Sequence, residues 1–281
     1  MADPVWFTTL KHKLRSRRLM RDVVTRTPPS RPHGLPSPLT ISLTSYPERF
    51  ARLSLTLNGL LRQTVTPDAV ILWVADGDID QLPRDVRALE SLGLKIKTCE
   101  DLRSYKKLIP ALAHAPDHAI ITTDDDVHYP ADWLEGIVET ARAHPGEIIS
   151  RRTHRVRLDD AGKLLPYDDW EFRVGLPVAG MDLFSVGVGG VFYPPGCFDP
   201  RVTDVDAFMK HCPTSDDVWF NWMARLKGVP ARNVGATFKI HTWPDTQASA
   251  LEYVNRAEQG GSGNDQATAA MVASYGLPFV Q

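Results

Sequence analysis

The sequence predicts an α/β fold with a mainly parallel central sheet flanked by helices. Two observations predict it. From residue 39 to residue 144, apolar runs of strand length alternate with amphipathic stretches of helix length, and such repetition implies parallel strands joined by right-handed crossovers. One run, "AVILWVAD" (69–76), is apolar at almost every position, as expected of a strand covered on both faces.

The elements follow in order. "LTISLTSY" (39–46) reads as a strand, then 47–63 as a helix with Phe50, Leu53, Leu57 and Leu60 on one face. After the strand at 69–76 come a helix at 82–93, a strand at 94–100, a helix at 105–115 and a strand at 118–126. Residues 130–144 form a helix opened by Pro130, with Trp133, Ile137 and Ala141 in register. The second half is less regular, with strands expected near 147–158, 188–194 and 234–240 and helices at 215–227 and 264–276.

Ahead of this body, "VWFTTLKHKLRSRRLMRDVV" reads as a basic amphipathic helix within residues 1–25, with Trp6, Leu10 and Leu14 in one stripe. Two readings stand side by side: in-plane contact with an anionic membrane surface, or packing against the body or another copy. Residues 26–38 hold five prolines in thirteen positions and read as an extended linker. The domain proper is expected over 39–281.

Bulk properties narrow the function classes. At 281 residues and 31.3 kDa, the chain has room for one large α/β domain or two small ones. The net charge of −2 gives no basis for nucleic-acid binding. Residues 1–32 carry eight Lys/Arg against two Asp, a local +6, so the remainder carries −8. The basic arm therefore sits on an acidic body. Cys99, Cys197 and Cys212 show no CxxC spacing, which suits a reducing compartment and excludes a Cys-rich zinc site. With neither a secretory signal pattern nor a run of 18 apolar residues, the expected location is the cytoplasm, with the arm reaching the inner membrane face.

"IITTDDDVHYP" (120–130) crowds Asp124, Asp125 and Asp126 behind an apolar strand. Neighbouring carboxylates repel by roughly 4 kcal/mol per pair at an effective dielectric near 20, so something must offset them. In parallel α/β sheets ligands collect at the carboxyl ends of strands. Thr44, Ser45 and Tyr46, and Asp76 with Gly77, stand at two more such ends. Hard oxygen donors suit Mg²⁺ or Mn²⁺ bridging to a phosphate. The plainer alternative is that the acids open a loop and favour the following helix start, for which one would suffice. In "CPTSDDVWFNWMARLKG", Ser215 is placed to cap a helix with Asp216 and Asp217 in its first turn. Lys106 and Lys107 precede the triplet strand, and His241 follows a strand-like run.

Together, "ISLTSYPERF", "LNGLLRQTVTPDAVILWVAD", "YKKLIPAL", "ITTDDDVHYP", "GVGGVFYPP", "SDDVWFNWMARLKG" and "GNDQ" resemble the GT-A fold glycosyltransferases, in particular bacterial family-2-like inverting enzymes. The likeness runs from about Ile41 to Gln266. It implies a Rossmann-like GT-A sheet, a nucleotide-sugar donor (a UDP-sugar first), a saccharide or lipid-linked acceptor, and Mn²⁺ or Mg²⁺. Thr44, Ser45, Tyr46 and Arg49 would contact the nucleotide, and Asp76 its base. The triplet resembles the DXD motif, with Asp124 toward the ribose and the ion, Asp126 on the ion and Asp125 between. Lys106 or Lys107 would face the diphosphate. Gly189 and Gly190, within "GVGG", would let backbone approach donor or acceptor. Asp217 would be the catalytic base, with Asp216 standing where the family has Glu. His241, 24 residues on, would be a further metal ligand. Two rivals remain. One is a nucleotidyltransferase, which normally carries a Gly-rich basic loop where this chain has "TSYPER". The other is a non-catalytic carbohydrate-binding or scaffold protein.

Overall fold

The computed structural model describes residues 5–27, 31–235, 239–244 and 263–279, with side chains from residue 15 onward. Helix α1 spans Val5–Thr25; the stripe Trp6, Leu10 and Leu14 lies outside the described side chains. From Ser16 onward α1 packs on the body. Val23 is fully buried, close to Gly59 of α2 (Phe50–Leu61). Arg15, Arg17, Arg18 and Arg21 stay exposed. In the proline-rich stretch, β1 (Arg31–Pro32) pairs in parallel with β3 (Val65–Thr66).

The main sheet begins with four parallel strands in the order β5 (Leu94–Cys99), β4 (Ala69–Ala75), β2 (Leu39–Thr44), β6 (Ala119–Thr123). Period-2 alternation sends Ile71 and Trp73 of β4 into one core and Val70, Leu72 and Val74 into the other. Burial on both faces thus explains the unbroken apolar run. The sheet continues through β11 (Val191–Tyr193), antiparallel to both neighbours, to β7 (Ile148–Ser150), β12 (Ala231–Asn233) and β9 (Ala179–Gly180). The strand expected over 147–158 is two, because β8 (Thr153–Arg155) leaves the sheet to pair with β10 (Leu183–Ser185).

Other boundaries also move. The helix expected at 82–93 is α3 (Arg84–Arg87) followed by a 3-10 stretch, Ala88–Leu92, that ends on Gly93 at φ 96°. The next reduces to a 3-10 turn at Arg103–Lys107 and α4 (Ile109–His114). Helix α5 starts at Trp133 and runs to Ala143. The Pro130 carbonyl turns back to accept from Trp133 N–H (3.1 Å) and Gln63 Nε2 (2.8 Å), while Gln63 Oε1 caps Leu134 N–H (3.0 Å). Helix α6 (Val205–His211), unanticipated, precedes α7 (Asp216–Leu226) and α8 (Gly263–Tyr275). The strand expected at 234–240 is placed earlier, as β12; residues 236–238 lie outside those described. No helix among the described residues is long and apolar enough to cross a membrane.

Candidate active site

A cleft of about 920 Å³ opens at the carboxyl ends of β2 and β6 and runs toward α7. Thr44, Ser45, Tyr46 and Arg49 line it from the turn after β2. Lys106 and Lys107 come from the 3-10 turn before α4, and Asp216 and Asp217 from the first turn of α7. The acidic triplet lines it from the loop after β6.

That loop is pinned from several sides. Asp124 N–H donates to Tyr129 Oη (2.9 Å), Trp243 N–H to the Asp126 carbonyl (2.8 Å), and Thr56 Oγ1 to the Val127 carbonyl (3.1 Å). Two of the three carboxylates meet at one arginine. Asp125 accepts from Ser45 Oγ (2.6 Å) and Arg49 Nη1 (2.9 Å), and Asp126 lies 3.3 Å from the same guanidinium. Burial opposes the Arg49 charge, but Asp125 and Asp126 outweigh it and raise its pKa. One guanidinium does not balance three acids. Asp126 is pushed up to about 7, by burial first and then by Asp124 and Asp125. Asp124 is raised by burial, with Asp125 and Asp216 adding to it and Lys107 opposing.

The second acidic pair meets the first across Lys107. Its Nζ lies 2.7 Å from Asp216 Oδ2; burial disfavours this ammonium, but Asp216, Asp217 and Asp124 hold it above the ordinary lysine range. Asp217 accepts from Gly187 N–H (2.9 Å). Burial pushes its carboxyl up to about 7, against the pull of Lys107. A methyl group on Gly187 would sit 2.8 Å from Asp217 Oδ1 and 3.1 Å from Lys107 Nζ, so only glycine permits this approach. Asn221, one turn on, donates to the Asp217 and Ser185 carbonyls (2.7 and 2.8 Å) and accepts from Ser185 N–H (2.8 Å), fixing the start of α7 to β10.

Four expected site residues stand elsewhere. Asp76 is exposed, and Asp78 lines the cleft in its neighbourhood instead. Gly189 and Gly190 pack on Trp133: its Nε1 donates to the Gly189 carbonyl (2.7 Å), and a Cβ on Gly190 would lie 2.5 Å from its ring. Gly187 and Val188 face the cleft from that loop. His241 is buried beside α1, its Nε2 3.3 Å from Ser16 Oγ, and is not among the lining residues. Ser215 precedes α7 but makes no side-chain cap; its buried Oγ has no hydrogen-bond partner among the described residues, and neither have Ser104 Oγ and Thr123 Oγ1. All three hydroxyl-bearing residues line the cleft, where a polar ligand would satisfy them.

Further lining residues escaped the sequence reading. Among the described residues, the two non-glycine positions with left-handed backbone are Arg103 (φ 54°) and Arg173 (φ 56°), and both line this cleft. Such positions cost of order 1–3 kcal/mol and gather at functional sites. Arg152, His154, Tyr167, Phe172 and Phe184 join Arg173 on the far wall. The signal available was the basic run "RRTHR" (151–155) at the end of a strand; backbone strain has no signature in composition or periodicity.

No protein-family model matches the chain, and no curated protein matches it. Among solved structures, S. aureus TarS 1-349 is similar over 85% of this chain and 72% of its own, at 12% identity and TM-score 0.51. That likeness shows the fold alone, a GT-A (Rossmann-like) α/β fold with a mainly parallel central sheet. A mannosyltransferase from Pyrobaculum calidifontis, in complex with GDP-Man and Mn²⁺, matches 50% of this chain at 20% identity and TM-score 0.34; the match spans 42% of its own length, less than half. CMP:2-keto-3-deoxy-manno-octonic acid synthetase complexed with CTP matches 80% of this chain and 97% of its own at 15% identity, with TM-score 0.39. Neither of the latter two is close enough to weigh on function.

Proposed function

We propose that the protein is a metal-dependent, inverting glycosyltransferase that moves a sugar from a nucleotide-sugar donor, UDP-linked in the first instance, to a saccharide or lipid-linked saccharide acceptor. One observation supports it above others: two acidic segments 90 residues apart converge on Lys107 in one cleft. A non-catalytic binder has no need of that convergence.

The donor set fits a hard divalent ion. Asp124 and Asp126 supply carboxylate oxygens, and Mg²⁺ or Mn²⁺ at phosphate sites is commonly held by one or two carboxylates plus the phosphates themselves. Among the described residues no group of three or more His, Cys, Asp or Glu converges as a complete site, so donor oxygens would complete the shell. The bound ion would supply positive charge to the departing diphosphate. Asp125, engaged by Ser45 and Arg49, positions the loop. Tyr46 and Thr44 meet the nucleoside, and Lys107 stabilises charge on the leaving diphosphate. Asp217 takes the proton of the acceptor hydroxyl as it attacks the anomeric carbon; a base with a pKa near working pH is suited to that transfer. One displacement inverts the centre.

The test is a donor screen with Mn²⁺ that detects released nucleoside diphosphate, run beside Asp217→Asn and Asp126→Ala. Asp217→Asn is expected to bind donor normally in calorimetry and lose transfer by roughly 10²–10⁴-fold. Asp126→Ala is expected to lose metal-dependent donor binding. Undiminished turnover in Asp217→Asn overturns the base assignment, and release of pyrophosphate from a nucleoside triphosphate points to nucleotidyl transfer. The arginine face of α1 is proposed to hold the enzyme at an anionic membrane. Truncation of residues 1–25 should abolish co-sedimentation with phosphatidylglycerol vesicles, and unchanged sedimentation refutes this.

A further inference from the structure

Helix α1 reaches the triplet loop from behind. Of the arginines between residues 15 and 26, Arg15, Arg17, Arg18 and Arg21 are exposed, whereas the Arg26 side chain is 8% exposed. It leaves the end of α1 and turns inward, where its Nη1 donates to the Tyr129 carbonyl (2.8 Å). Its Nη2 lies 3.1 Å from His128 Nε2; a guanidinium only donates, so that ring nitrogen accepts. Asp22, one turn back on α1, accepts from Arg26 Nε and Nη2 (3.0 and 2.6 Å) and sets the direction of the fork.

Tyr129 carries this contact to the site. It is fully buried, with its ring against Trp133 at 4.6 Å between centroids, and its Oη accepts from Asp124 N–H (2.9 Å). Its backbone is therefore held by α1 while its side chain fixes the backbone of Asp124. Asp126 is reached by a second route. Its carbonyl accepts from Trp243 N–H (2.8 Å), His128 N–H donates to the His241 carbonyl (2.8 Å), and His241 meets Ser16 of α1. Seating α1 needs none of this reach into the loop, because Val23 is already fully buried against α2.

We propose that Arg26 is a positioning residue for the divalent ion: through Tyr129 it fixes the backbone of Asp124, and with it the place of that carboxylate in the cleft. The ion rests on the transferase reading; the grip of Arg26 on the loop does not. A planar fork spans the Tyr129 carbonyl and His128 together, which the compact ammonium of a lysine matches in part.

Calorimetry of the full chain with Mn²⁺ at saturating UDP, and with UDP alone, tests it. Arg26→Met should raise the Mn²⁺ Kd about tenfold, as loss of a residue behind a metal ligand does, and leave metal-free UDP affinity unchanged. Arg26→Lys should recover part of the loss. Tyr129→Phe removes the acceptor of Asp124 N–H and should weaken Mn²⁺ binding to a similar degree. The double variant should lose no more than Tyr129→Phe alone, since both break one link. Val23→Ala loosens the same helix and should lower Tm without moving the Mn²⁺ Kd. An unchanged Kd in Arg26→Met, additive losses in the double variant, or an equal loss in Val23→Ala overturns the proposal. Amide hydrogen exchange over residues 124–129 is the readout that needs no ion: Arg26→Met should speed it several-fold relative to β4, and unchanged exchange refutes the grip. If the wild type binds no Mn²⁺ beside UDP, the metal reading falls and the ion's part of this proposal with it, while faster exchange in Arg26→Met still establishes the grip on the loop.

Discussion

The two walls of the cleft are built differently. On the β2–β6 side, strands end at the same edge of a parallel sheet, so Ser45, Arg49 and Asp124–Asp126 reach the ligand space simply by following their strands. On the β8–β10 side the sheet breaks up, and position is enforced by buried polar side chains on backbone. Arg225 spans the Met181, Val229 and Leu183 carbonyls at 3.0, 2.6 and 2.5 Å. Asn221 holds β10 to α7 and Asn233 holds β8 to the Arg173 loop. The first wall is placed by topology, the second by side-chain hydrogen bonds, and substitutions should separate the two.

The largest effect is expected where the walls meet. Gly187→Ala drives a methyl to 2.8 Å from Asp217 and should cost about 100-fold in kcat while nucleotide affinity, assigned by the proposed function to the other wall, changes little. Steady-state kinetics and UDP calorimetry separate the two. An equal loss in both would mean that the walls are not independent.

Next comes pH. With Asp217 pushed up to about 7, the proposed base is mostly ionised only above that value, so kcat should fall as pH drops through 7. Lys107 opposes the upward shift, and Lys107→Met should move the midpoint higher as well as slowing the reaction. Stability runs the other way. A carboxyl raised above its ordinary 3.8 leaves the fold best off at low pH, and stability is lost as pH climbs from about 4 through about 7. Asp217→Asn escapes that loss, so its advantage in thermal melts should grow from pH 5 to pH 8, reaching about 1–2 kcal/mol.

The effect with the least reach into activity belongs to the second wall alone. Asn233→Ala strands the Val174 carbonyl and should cost about 1–3 kcal/mol in denaturant unfolding. It should loosen the Arg173 loop while leaving UDP affinity unchanged.

Legibility in the sequence follows the same division. The apolar run of β4 and the triplet after β6 could be read because a strand buried on both faces needs apolar residues throughout, and polar residues behind it must lie at the sheet edge. The distance from Asp217 back to Asp124 could not, since it depends on how α7 docks on β10 through Asn221. Gly187 rather than Gly189 or Gly190 faces the cleft because Trp133 claims the latter pair, a packing fact with no local signature.

By itself the sequence determined the α/β alternation, the strand-end acids and the lysine beside them, because period, charge and order along the chain are local properties. Only the tertiary structure decided which acids share one lysine, which glycine faces the site and which arginines carry strained backbone. Those are relations between segments far apart in the chain, set by packing and by hydrogen bonds across it.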